Sequence, residues 1–195
     1  MTSSPQDSIA QELRNQFLIL GTGVVLMWAV EILDTFVFRR SLDKFGIRPL
    51  ELTGLIGILW APFLHGGFGH LIANTFPFIT LGWLVMLQET SDFFIVTVAT
   101  MVLGGLGTWL FGGAGTIHIG ASGVIFGYLG FLLFRGFFRR NLPSIVLSVV
   151  VAFVYGGLLW GILPIRTGVS WQGHLFGFIG GAIVAKFLSG KPYAQ

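Results

Sequence analysis

Residues 112–134 read GGAGTIHIGASGVIFGYLGFLLF: glycines around one histidine, a serine between glycines, then an apolar run that stops at Arg135. No charge interrupts the stretch from Ala121 to Phe134, and the cluster Arg135, Arg139, Arg140 follows it. An apolar segment that ends on arginines is the pattern of a helix leaving hydrocarbon at a lipid–water interface. The pattern recurs in both directions along the chain. Upstream lie apolar spans at about Phe17–Phe38, Phe68–Leu87 and Phe93–Phe111, and downstream at Leu142–Leu163, closed by Pro164, and Val169–Leu188. With the central one, these predict six spans and both termini on one side.

Composition agrees with that reading. Only 10% of the 195 residues are charged and 54% are hydrophobic, with a mean hydropathy of +0.85. A soluble domain carries about 25% charged residues. The expected class is all-α, a polytopic membrane protein forming a six-helix bundle, because helices satisfy their own backbone hydrogen bonds in lipid. A β-barrel calls for short alternating segments instead. The 29 glycines suit closely packed transmembrane helices. The net charge of +3 lies in clusters beside apolar spans, so it reads as helix anchoring and orientation, with membrane lipid as the partner and no nucleic acid. Absence of cysteine excludes disulfide and thiol chemistry.

The organisation expected is a polar N-terminal tail over 1–16, a membrane domain over 17–188 and a C-terminal tail over 189–195. Residues 1–16 lack the basic region of a signal peptide and read as a mobile tail or a short surface helix. Glu31 and Asp34, late in the first span, are expected to mark the approach to the interface. Thr53–Leu64 is apolar but broken by Pro62. It is too short to cross a bilayer, which takes about twenty helical residues, and should lie in or partly enter the interface. Arg14, Arg135, Arg139, Arg140, Lys186 and Lys191 fall on the face holding the termini. Arg39, Arg40, Lys44, Arg48 and Arg166 fall on the other. Outside the first loop the bias favours termini in the cytoplasm and a plasma-membrane location.

This topology sorts the polar residues. Ser122 starts the fourth span, His174 lies early in the sixth, and His65, His70 and Asn74 lie at the entrance of the second. All are entered from the same face, so three distant segments bring unusual polar groups to one depth. Gly123 and Gly127, and Gly173, Gly177 and Gly181, form stripes of spacing four that let backbones approach. If the stripes meet, Ser122 Oγ comes within reach of the His174 imidazole. A serine hydroxyl needs such a base at neutral pH. His70 and Asn74 share a helical face and can donate hydrogen bonds to a developing oxyanion, beside the Ser122 N–H. No acid is placed to orient His174, which leaves a Ser–His dyad with the imidazole held by packing. Taken singly, each residue has an ordinary reading: Ser122 as a helix cap, His174 as an interhelical donor, Asn74 as a bridge, His118 as a loop histidine. Their clustering inside a membrane is what points to function.

These residues resemble the rhomboid intramembrane serine proteases. Three motifs carry the resemblance: His65-x4-His70-x3-Asn74, Gly120-x-Ser122-Gly123, and His174-x2-Gly177-x3-Gly181, in family order over nearly the whole chain. The resemblance implies an intramembrane serine-type endopeptidase, a hydrolase cleaving transmembrane protein substrates. It assigns Ser122 as nucleophile, His174 as general base, and His70, Asn74 and the Ser122 N–H as the oxyanion hole. His65, Gly120, Phe126, Gly177 and Gly181 fall to supporting roles. No cofactor and no metal are implied. Two departures stand out. Ile56-Gly57 occupies the place of a Trp-Arg pair in the first loop, and Phe126 replaces a tyrosine that stacks on the histidine.

A catalytically silent rhomboid-like protein that binds membrane clients is the alternative function. A metal-dependent hydrolase using His65, His70 and His174 fits poorly, since His65 and His70 are five apart and no acidic ligand is near. A transporter calls for ionisable groups near the midplane rather than near one surface.

Overall fold

The computed structural model describes residues 5–87, 89–165 and 167–190. They form seven α-helices and no strand: α1 (Pro5–Phe36), α2 (Gly57–Trp60), α3 (Phe68–Met86), α4 (Thr90–Phe111), α5 (Ser122–Arg139), α6 (Leu142–Tyr155) and α7 (Trp171–Leu188). Arg166 and Lys191, counted above for orientation, lie outside the described residues, as do residues 1–4 and 191–195. The chain is an all-α, multi-pass membrane protein. Among the described residues, four segments are long and apolar enough to cross a bilayer: Ser8–Phe36, Phe68–Met86, Thr90–Phe111 and Leu142–Ile162, the last joining α6 to a 3-10 segment, Gly156–Ile162.

The remaining two long helices, α5 and α7, are 18 residues each and form the centre. Lipid tails are as apolar as leucine, so hydrophobicity alone does not drive helices together in a bilayer; close packing does. Glycine supplies it here. A methyl group added to Gly177 would collide with the Gly123 carbonyl, and one added to Gly181 with the Gly127 carbonyl. The two stripes therefore face each other backbone to backbone. Tyr128, Leu129, Phe131 and Leu132 of α5 lie in the core beside Leu71, Leu81 and Val85 of α3 and Val96 of α4. By contrast α6 keeps most of its surface outward, with Phe153 91% exposed and only Ser144 and Val151 buried. A single isolated antiparallel bridge, between Ile47 and His118, ties the first loop to the loop before α5.

Thr53–Leu64 is neither a span nor one helix. It folds as a 3-10 turn (Leu52–Ile56), the single turn α2 and a second 3-10 turn (Ala61–Phe63) with Pro62 inside it. α1 begins at Pro5 and so takes in residues 5–16 as its first turns. Gln16 is buried there, donating to the Met86 carbonyl (3.4 Å) and the Thr90 hydroxyl (3.0 Å), which ties α1 to the α3–α4 connection.

Glu31 and Asp34 are both buried near the end of α1. Asp34 accepts the Leu42 N–H (2.8 Å) and so braces the turn that follows α1, while Glu31 accepts the Thr35 hydroxyl (3.2 Å) within the helix. One charge expectation is corrected: Arg135 does not anchor the end of a span. α5 runs on to Arg139, and Arg135 pairs with Asp92 at 3.1 Å, the two side chains 3% and 0% exposed. A guanidinium one turn inside the helix end finds a carboxylate on the first turn of α4 because the two helices meet there. Removing one partner of a buried pair leaves a desolvated charge, so Asp92→Ala is expected to cost about 3–5 kcal/mol. Thermal unfolding in detergent checks this, with Asp92→Ala/Arg135→Leu expected to recover much of the loss.

Candidate active site

Ser122 is delivered by the chain reversal at Gly120. That residue has φ +110°, a conformation open to glycine, and a Cβ there would lie 2.7 Å from the His70 ring. Its N–H donates to the Ala61 carbonyl (2.8 Å), and the next N–H, of Ala121, points to His65 Nε2 (3.5 Å). The broken first-loop segment thus holds the turn from behind. Ser122 opens α5, so its own N–H has no acceptor within the helix.

His174 sits in the first turn of α7, its N–H bonded to the Ser170 carbonyl (3.1 Å). Its Nε2 is 2.8 Å from Ser122 Oγ, and its Nδ1 is 2.9 Å from the Gly161 carbonyl. A carbonyl only accepts, so Nδ1 carries the proton and the Nε2 lone pair faces the serine, which donates. The Phe126 ring stacks on the imidazole at 4.1 Å between centroids and 6° between planes. A phenyl ring without the tyrosine hydroxyl makes this contact fully. The Gly161 carbonyl is a partner of His174 that the sequence did not reveal. A backbone carbonyl leaves no side-chain signature, and the segment 156–162 carrying it closes the Leu142–Ile162 segment as a 3-10 helix rather than an α-helix.

His70 and Asn74 line the same open cleft of about 1110 Å³ as Ser122, Phe126 and His174. The Gly66 N–H points to His70 Nδ1 (3.4 Å), which leaves the proton on Nε2, beside Gly120. Asn74 spends one amide hydrogen on the His70 carbonyl (2.9 Å) and keeps the second. His65 is buried outside the cleft with its ring edge-on to His70, 5.1 Å between centroids. Burial, with His70 adding to it, pushes the His65 imidazole down to about 4, against the Phe63 backbone. It is therefore neutral at physiological pH and acts as an acceptor for the Ala121 N–H. His118, in the loop before α5, lines the same cleft.

Residues 52–191 match the model of the rhomboid domain. The chain belongs to the rhomboid family. Uncharacterized proteins of Mycobacterium tuberculosis and Mycobacterium bovis are each 45% identical to this rhomboid over 201 residues, covering 96% of the present chain and 83% of their own. A Bacillus subtilis protein named as a candidate rhomboid protease is 30% identical over 125 residues, 63% of this chain and 61% of its own. The family model begins at Leu52, so α1 lies outside it; the mycobacterial relatives extend the similarity over nearly the whole chain.

Proposed function

We propose that this rhomboid is an intramembrane serine endopeptidase that cleaves transmembrane protein substrates. The observation that carries the reading is the 2.8 Å contact between Ser122 Oγ and His174 Nε2, with Nδ1 bonded to the Gly161 carbonyl. In the proposed reaction, His174 takes the Ser122 proton as Oγ attacks the scissile carbonyl carbon. The tetrahedral oxyanion accepts hydrogen bonds from His70 Nε2–H, the second Asn74 N–H and the Ser122 N–H, where the α5 terminus also favours negative charge. His174 then protonates the leaving amine, and the C–N bond breaks. Water attacks the acyl-enzyme with His174 again as base, releasing the acid and restoring the serine. The Gly161 carbonyl stands where an acid commonly stands: it fixes the tautomer and stabilises the imidazolium, without a buried charge.

The open cleft supports access of water to both hydrolytic steps, which dry lipid would prevent. The same reading takes α5 and α7 as spans beside the four longer segments, giving six, with both termini in the cytoplasm and the plasma membrane as location. Labelling of the purified protein with a fluorophosphonate probe tests it. Wild type is expected to label and Ser122→Ala to stay unlabelled; a wild type that does not label would leave a client-binding role.

Gly161→Ala gives a finer test. The added methyl would lie 2.9 Å from Phe126 Cζ and 3.2 Å from His174 Nδ1, so it must push the carbonyl away from the imidazole. The labelling rate is expected to fall roughly tenfold, about 1.4 kcal/mol in the barrier, with the melting temperature little changed. An unaltered rate would show that the carbonyl does not tune the base.

A further inference from the structure

His118 makes more contacts than a loop histidine needs. Its backbone N–H and carbonyl both pair with Ile47, at 2.9 and 3.0 Å. Its Nε2 lies 3.1 Å from the Gly112 carbonyl, at the end of α4, and 2.8 Å from the Thr116 hydroxyl. The Gly112 carbonyl only accepts, so Nε2 carries the proton and Nδ1 offers a lone pair. Burial lowers the His118 pKa, against the Gly112 bond, and so favours the neutral ring. The Nδ1 lone pair faces Ser170 Oγ at 2.7 Å.

Ser170 is the second half of the observation. It occupies the N-cap position of α7, where a serine ordinarily accepts a hydrogen bond from its own helix. Here its side chain makes no capping bond. The hydroxyl is spent on His118 instead. Ser170 precedes His174 by four residues, and its carbonyl accepts the His174 N–H (3.1 Å). His118 precedes Ser122 by four residues. The segment entering α5 and the segment entering α7 are thus joined twice, by Ser122–His174 at 2.8 Å and by His118–Ser170 at 2.7 Å, with imidazole and hydroxyl exchanged between the sides.

We infer that His118 and Ser170 are positioning residues of the protease, a second imidazole–hydroxyl link that sets the register of the α7 entrance against α5 and so holds His174 Nε2 on Ser122. The inference rests on the proposed hydrolase reading and goes beyond it. Below the link, glycine packing fixes how closely α5 and α7 approach but leaves rotation and sliding of their first turns to whatever bonds cross there. Of those, Ser122–His174 must break and re-form in every cycle, since the serine proton leaves and the Oγ becomes an ester. His118–Ser170 touches no reacting atom and persists throughout. A shift of about 1 Å in a reacting pair can cost on the order of a hundredfold in rate.

The test uses full-length protein in detergent, a fluorophosphonate probe and a single-span peptide substrate. His118→Ala and Ser170→Ala are each expected to lower the labelling rate of Ser122 and kcat by roughly ten- to a hundredfold with KM nearly unchanged. The double variant is expected to be no slower than the slower single one, because both remove the same bond. His118→Asn places an acceptor oxygen near the position of Nδ1 and is expected to recover most of the rate, whereas His118→Leu fills the space and is not. Wild-type rates in a folded His118→Ala or Ser170→Ala, additive losses in the double variant, or equal rates in the Asn and Leu variants would each overturn the inference. If His118→Ala does not fold, Ser170→Ala decides alone. Failure of the wild type to label at all strikes at the hydrolase reading instead, which keeps the two outcomes distinct.

Discussion

Replacing Ser122 by alanine is expected to lower cleavage of a single-span substrate by at least about a thousandfold, and His174→Ala by a similar factor. The size follows from the geometry. Ser122 Oγ has a basic nitrogen at 2.8 Å and shares the cleft with His70 and Asn74, and that nitrogen is basic because Gly161 holds the ring proton on the other side. Losing either member removes the whole proton-transfer step, so the two changes together should cost little more than one. Both variants should fold, since neither residue fills the α5–α7 seam: Gly177 and Gly181 do. Initial rates on a reconstituted substrate check this, beside melting curves for each variant. Cleavage by purified Ser122→Ala at the wild-type rate would refute the assignment.

Gly181→Val and Gly177→Val are expected to lower stability by about 3 kcal/mol or more each and to disrupt the site as well. Added carbons at these positions would run into the backbone carbonyls of Gly127 and Gly123, and a carbonyl in a helix cannot turn aside as a side chain can. The helices must separate, and Ser122 and His174 separate with them. The expected result is therefore a lowered melting temperature together with loss of fluorophosphonate labelling. Gly21→Ala supplies the contrast. Nothing lies within 4 Å of a methyl group there, so it should be neutral or slightly stabilising through helix propensity. A folded Gly181→Val that labels at the wild-type rate would mean that the seam does not set the dyad.

Much of the site was legible in the sequence, because its parts carry their own signatures. Apolar runs bounded by charge led to the expectation that Ser122, His174, His70 and Asn74 lie together, and the four line one cleft. The glycine spacing gave a reason for α5 and α7 to touch. The family resemblance implied that Phe126 stacks on the histidine, as it does. Other features were illegible for a common reason: they depend on partners far away in the chain. Arg135 looked like an interfacial anchor until α4 brought Asp92 against it. Asp34 carried no sign of its partner, the Leu42 N–H, which the turn after α1 folds back to supply. His118 looked like an ordinary loop residue, since its partner Ser170 lies 52 residues further on.

The sequence by itself thus determined the all-α, multi-pass class and named Ser122 and His174 as the candidate nucleophile and base. Periodic hydrophobicity and glycine spacing are local properties, and local properties can be read in order along a chain. Only the tertiary structure decided how the imidazole is oriented. The Gly161 carbonyl that holds Nδ1 belongs to the backbone, which is the same at every residue, and a 3-10 turn rather than any side chain brings it to His174.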